Sequence, residues 1–163
     1  MNKLAPAALE ALENLMAGNA RARSGLPLPL PSQSRREELA KGQHPFAVVL
    51  TCVDSRVAPE LVFHQEPGSL FVTRVLGSAL EPASLAAIEF AIEKLHVPLV
   101  YILGHSGCAA YRADANKIAK NVLRVVNALP KRSRLLRAAL KENAAGIAGG
   151  VYDIATASVT RLL

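Results

Sequence analysis

The sequence has no tryptophan, and its aromatic residues amount to only 4% of the chain. Proteins that hold single-stranded nucleic acid stack bases on such rings, so their scarcity speaks against that class of partner. Cysteine occurs twice in 163 residues, too few for a disulfide framework or for a zinc site closed by four thiolates. No apolar run reaches the ~18 to 20 residues of a membrane span. An uninterrupted apolar stretch near the N-terminus, as a secretory leader needs, is also lacking, because Glu10 and Glu13 break it. The expected compartment is the cytoplasm, where cysteines are commonly free, catalytic or metal-bound.

What is present is a chain with 51% apolar residues, long enough for one well-buried core and short for two. A single domain over residues 1–163 is expected, with an N-terminal helix and Pro-rich arm over 1–40 and an α/β core over 41–163. Lys and Arg outnumber Asp and Glu by 19 to 13, a net charge of +6, which raises the question of an anionic partner. The excess is local: Lys117, Lys120, Arg124, Lys131, Arg132, Arg134, Arg137 and Lys141 alternate with apolar residues in a helical pattern. That pattern reads as a solvated helix face, with no nucleic-acid motif beside it.

Leu9, Leu12, Leu15 and Met16 recur at helical spacing after Pro6 and predict a helix over 6–23. The alternating prolines of LPLPLPS, 26–32, exclude helix and favour an extended arm, which needs a surface from a partner or from its own domain. FAVVLT (46–51) and PLVYILG (98–104) are short continuous apolar runs, as expected of parallel strands buried on both faces, and SLFVTRV (69–75) is a third strand. Residues 82–97 supply a crossover helix between the second and third of these in sequence. Helical tracts are expected over about 109–128 and 131–143, and residues 146–163 read as strand, turn and strand. The fold class is α/β with a mainly parallel central sheet flanked by helices.

In such sheets functional groups gather beyond the carboxyl ends of the strands. Cys52 directly follows FAVVLT, and His105 and Cys108 directly follow PLVYILG, so all three converge if those strands are neighbours. Two thiolates and an imidazole are three ligands for a tetrahedral zinc with a fourth position open, an arrangement suited to catalysis. On its own, H-x-x-C is more often the mark of a buried free thiol near a loop histidine. In CVDSR, 52–56, an extended turn places Asp54 and Arg56 on the side of Cys52. There the guanidinium can keep the carboxylate ionised and oriented, unless the two form only a surface ion pair.

TCVDSRVAPELVF (51–63), the strand-helix unit after it and LGHSGC (103–108) closely resemble the β-class carbonic anhydrases in motif, order and separation, and the resemblance runs from about residue 20 to residue 152. It implies one zinc ion per chain on Cys52, His105 and Cys108, and a catalytic dyad of Asp54 and Arg56. In one state the aspartate accepts a hydrogen bond from the group in the fourth zinc position; in a closed state Asp54 itself takes that position. Gln43, nine residues before Cys52, and the backbone of Ala109 fall where the family contacts carbon dioxide or bicarbonate. The implied activity is a lyase reaction, the reversible hydration of carbon dioxide, by homodimers or multiples of dimers whose N-terminal helix packs across the partner. Hydrolysis of carbonyl sulfide or carbon disulfide on the same site, and a weakly catalytic zinc-binding component with a structural role, are the alternatives. His44 and His64 are read as loop histidines before proton shuttles.

Some positions depart from the family pattern. Ala109 and Ala110 stand where glycine is usual, Leu76-Gly77-Ser78 replaces Ala-Gly-Asn, Ala157 replaces a turn glycine, and the tract after Cys108 is short. These bear on turnover and on oligomer packing while leaving the ligand set whole.

Overall fold

The computed structural model describes residues 4–163. Five strands form one sheet: β1 (Ala47–Thr51), β2 (Leu70–Arg74), β3 (Leu99–His105), β4 (Gly146–Asp153) and β5 (Ser158–Arg161), in the spatial order β2-β1-β3-β4-β5. The first four are parallel and β5 returns antiparallel to β4. Six helices accompany them: α1 (Pro6–Arg23), α2 (Gln33–Leu39), α3 (Pro59–Val62), α4 (Pro82–Lys94), α5 (Ala115–Arg132) and α6 (Arg134–Lys141).

Strands β1 and β3 are buried along their whole length, and the period-2 alternation of a strand divides them between two cores. Val48, Leu50, Val100 and Ile102 pack with Ile88 and Ile92 of α4, Val122, Val125 and Leu129 of α5 and Leu136 of α6. Ala47, Val49, Leu99, Tyr101 and Leu103 face the other way, onto Leu12 and Leu15 of α1, Val62 and Phe63. Burial of Leu12 or Leu15 contributes about 1.5 to 3 kcal/mol each. The crossover helix α4 carries the chain from β2 past β1 to β3, so β1 and β3 are neighbours and their carboxyl ends meet.

Helix α1 starts at Pro6, where the missing N–H costs nothing, and its bounds are those expected. Its surface is its own chain. Gly18 lets it approach so closely that a Cβ there would stand 1.8 Å from the Phe63 carbonyl oxygen. Asn19 donates to the carbonyls of Val62 and Ala157, both at 2.9 Å, and accepts from the Val159 N–H at 3.0 Å. This sheet face offers one face of α1 both apolar cover and polar anchors. The extended arm does not share that cover: Leu30 is 91% exposed and Leu26 53%.

Three local features differ from the sequence reading. Residues 109–128 are not one helix: a single 3-10 turn, Ala109–Tyr111, ends at Arg112 and Ala113, both with positive φ, before α5 begins. Asp114 then caps α5, accepting from the Lys117 N–H at 3.1 Å. At the far end α5 runs through Pro130 to Arg132, and Ser133 caps α6 through the Leu136 N–H at 3.0 Å. Helix α2, capped by Ser32, and the four-residue α3 lie in stretches where no helix is expected from apolar spacing. The basic residues singled out in α5 and α6 are all exposed, as a solvated face requires.

Candidate metal centre

Thr51, the last residue of β1, donates its hydroxyl to the Leu103 carbonyl at 3.0 Å, fixing the end of β1 against β3. One residue on, Cys52 leaves the sheet; His105 closes β3, and Cys108 follows after a turn at Gly107. The side-chain donor atoms of Cys52, His105 and Cys108 all lie within 4.8 Å of one another, and all three residues are buried. Both thiols are free.

Several features of this cluster suit a tetrahedral cation. His105 Nδ1 stands 2.9 Å from the Ser106 carbonyl oxygen. A carbonyl only accepts, so Nδ1 carries the proton and the Nε2 lone pair of the neutral ring points into the cluster. Nε2 is buried and has no hydrogen-bond partner among the described residues, a state that costs free energy unless something binds there. Burial pushes the Cys108 thiol up, against the pull of the Ala110 and Tyr111 backbone N–H groups, with Cys52 beside it adding to the rise. Two thiolates held together in a buried place need a neutralising cation.

Asp54 and Arg56 come together at the rim. Arg56 donates from Nε to Oδ1 at 2.9 Å, from Nη2 to Oδ2 at 2.7 Å and from its backbone N–H to Oδ1 at 3.0 Å. Hydrogen bonding from the Arg56 guanidinium holds the Asp54 carboxyl well below the usual carboxylate range, against a smaller opposing effect of burial. Asp54 Oδ2 lies 4.0 Å from His105 Nε2, beside the cluster while bound to arginine.

The remaining candidates lie apart from these. Gln43 is exposed, in a surface concavity with Leu39, Lys41 and Pro67 that contains none of the three ligand residues. Ala109 opens the 3-10 turn without a positive φ, so its Cβ brings no backbone strain there. Ser78 and Ala157, by contrast, both adopt φ 55°, a left-handed conformation disfavoured by ~1 to 2 kcal/mol for residues with a Cβ. His64 faces the arm, 3.2 Å from the Pro27 carbonyl oxygen, and receives Arg21 Nε at 3.5 Å; His44 is exposed in the loop before β1.

Residues 47–120, from β1 to the first turns of α5, match the family model described as carbonic anhydrase. A carbonic anhydrase of Mycolicibacterium smegmatis is 47% identical over 106 residues, covering 64% of this chain and 51% of that protein. The chain carries Cys52, Asp54, Arg56, His105 and Cys108 all within the matched stretch 47–120. Its fold matches the β-carbonic anhydrase CafA of Aspergillus fumigatus with a TM-score of 0.69 at 23% identity, over 96% of this chain and 89% of that one. It also matches a tetrameric β-carbonic anhydrase of Sordaria macrospora with a TM-score of 0.66 at 22% identity, over 94% of each chain. The chain spans about half the length of the curated relatives it matches.

Within this β-carbonic anhydrase fold, further residues bear on the centre. Arg74, at the end of β2, donates to the Cys52 carbonyl at 3.0 Å and the Asp54 carbonyl at 2.6 Å, clamping the backbone that carries a ligand and the carboxylate. The Gly77 N–H donates to Cys52 Sγ at 3.3 Å. Asn121 is buried within the apolar stripe Ile118, Val122, Val125 and Leu129 of α5. A cation at the carboxyl end of a strand and an amide on an apolar helix face were the available signals for Arg74 and Asn121.

Proposed function

We propose that this chain is a zinc-dependent carbonic anhydrase, interconverting carbon dioxide and bicarbonate, with the metal on Cys52, His105 and Cys108. The observation that carries this reading is the buried convergence of two thiols and an unpartnered imidazole nitrogen from the ends of neighbouring parallel strands. Zinc, when bound there, supplies a Lewis acid that turns water into a nucleophile near neutral pH.

The protein's part is orientation and charge. Asp54, kept ionised by Arg56, would accept a hydrogen bond from a water held beside His105 Nε2 and so would aim it at the carbon of carbon dioxide. Its depressed pKa makes it a poor proton acceptor, so it orients without taking the proton. Arg56 presents two parallel donors to the carboxylate and reaches toward the Gly107 carbonyl at 3.4 Å, which ties the dyad to the loop between His105 and Cys108. Ser106 fixes the imidazole tautomer through its carbonyl. Ala109 offers a backbone N–H to the substrate. Gln43 belongs to the substrate contacts only if a second chain brings it to the centre, and we propose a dimer or a multiple of dimers. The fold shared with a tetrameric enzyme and the exposed leucines of the arm support that state.

We further propose that residues 1–163 act as one domain in the cytoplasm; no helix among the described residues is long and apolar enough to cross a membrane. Paired variants test the assignment. Cys108→Ser is expected to lose both zinc and hydration activity, whereas Asp54→Asn keeps zinc and loses activity. A fully active Asp54→Asn protein contradicts the assigned role.

A further inference from the structure

The two thiols of the centre are served by different parts of the chain. Cys108 has the backbone N–H groups of Ala110 and Tyr111 directed toward it from its own turn. Cys52 receives the N–H of Gly77, which lies 25 residues away in the loop after β2. That loop is a left-handed turn, with Gly77 at φ 65°, and this conformation must be held for the Gly77 N–H to make its 3.3 Å contact to Cys52 Sγ.

The holding groups stand on the other side of the same residue. The Gly77 carbonyl accepts two hydrogen bonds, from the Tyr111 hydroxyl and from Asn121 Nδ2, each at 3.0 Å. Arg124 Nη2 donates to Asn121 Oδ1 at 2.7 Å, which sets the amide so that its NH2 faces Gly77. Asn121 is 6% exposed on a helix face otherwise apolar, and a buried amide there is costly unless its bonds are made. There is no slack: a Cβ on Gly77 would stand 2.9 Å from Ala110 Cβ and 3.0 Å from the Tyr111 ring.

We infer that Asn121, oriented by Arg124 and assisted by Tyr111, is a positioning residue that holds Gly77 by its carbonyl, and so keeps the left-handed conformation in which the N–H on the preceding peptide unit donates to the Cys52 sulfur. The inference rests on the zinc reading of the centre and assigns these three residues a role in it. A hydrogen bond from N–H to a thiolate withdraws charge from the sulfur. With two thiolates on one metal, that withdrawal preserves the Lewis acidity that sulfur donation otherwise reduces. The brace thus links helix α5, through the single residue Gly77, to the electronic character of the Cys52 sulfur just beyond β1.

The test uses Asn121→Leu and Tyr111→Phe in the full chain, with Lys120→Gln on the exposed face of the same helix as a control. Apoprotein is titrated with Zn2+ against a chromophoric chelator, and the absorption spectrum of the Co2+-substituted protein is recorded, each beside a thermal melt that establishes folding. Asn121→Leu is expected to weaken Zn2+ binding by roughly 10- to 100-fold, as loss of an outer partner of a metal ligand does. It is also expected to shift the thiolate-to-Co2+ charge-transfer band. Tyr111→Phe moves both in the same direction by less, and Lys120→Gln moves neither. If Asn121→Leu does not fold, the Tyr111→Phe/Arg124→Gln double variant is judged by the same two readouts. Folded variants that bind Zn2+ within about threefold of wild type, well short of the effect expected for such a partner, with superimposable Co2+ spectra, overturn the inference. Failure of the wild-type protein itself to bind Zn2+ contradicts the zinc reading instead, so the two failures are distinct.

Discussion

Asp54 Oδ2 stands 4.0 Å from His105 Nε2, yet both of its carboxylate oxygens are taken by Arg56. The carboxylate therefore borders the three-residue cluster without joining it. Arg56 is the group that keeps it there. Arg56→Gln is expected to retain the metal and to lose about 100-fold or more in kcat/KM, the scale on which a positioned acid-base group contributes. Stopped-flow hydration with metal quantification on the same sample checks it; unchanged kcat/KM would show that the dyad is only a surface ion pair.

Helix α1 is fastened to the same chain through a backbone contact that permits no side chain. Gly18→Ala places a Cβ 1.8 Å from the Phe63 carbonyl oxygen, so α1 must lift from α3 and the Asn19 bonds must lengthen. The expected result is a destabilisation of about 2 kcal/mol or more, the range of overpacking in a close-packed interior, read as a lower midpoint in urea. A midpoint equal to wild type would place α1 elsewhere.

Tyr101 is fully buried, meets Phe63 edge-on with centroids 5.5 Å apart, and has a hydroxyl without a partner. Burial raises its pKa, offset slightly by Arg161, so the group stays neutral at all working pH values. Tyr101→Phe keeps the ring contact and removes the unsatisfied oxygen. Stability is expected to be unchanged or to rise by up to about 1 kcal/mol, and a loss above that figure in chemical denaturation would reveal a hidden partner.

Asp114 caps α5, and hydrogen bonding from the Lys117 backbone N–H is the main reason its pKa is lowered. A carboxylate whose folded pKa is depressed stabilises the fold above its unfolded value and ceases to do so as pH falls through the folded one. Asp114→Ala is therefore expected to melt below wild type at pH 7, and the gap should close as the pH is lowered below about 4. A gap that is the same at pH 3 and pH 7 would contradict the capping role.

How far the sequence could be read depended on where the information resides. The strands β1 and β3 and the convergence of Cys52, His105 and Cys108 were legible because continuous apolar runs mark buried parallel strands, Cys52 and His105 each sit one step from a run's end, and Cys108 follows His105 by three residues. The bounds of α1 followed from Pro6 and leucine spacing. Helix α2 was not legible, since QSRREEL has no apolar stripe and owes its start to the Ser32 cap. The break at Arg112 and Ala113 was hidden because nothing in their type demands a left-handed backbone. The surface under α1 was likewise not legible: helical spacing shows that a face is apolar and not which sheet covers it. The Gly77 brace depends on contacts over 25 to 44 residues of separation, beyond any local pattern, although Asn121 on an apolar stripe was a visible irregularity.

The central claim is that the Cys52, His105 and Cys108 cluster is a catalytic zinc centre for carbon dioxide hydration. Its most direct test is zinc quantification on the purified protein, paired with stopped-flow hydration of carbon dioxide between about pH 6.5 and 9, a window around the expected titration near pH ~7 in such sites. The account predicts one zinc per chain and hydration well above the uncatalysed rate, rising with pH across the window. Zinc-loaded protein that hydrates carbon dioxide no faster than buffer would contradict it.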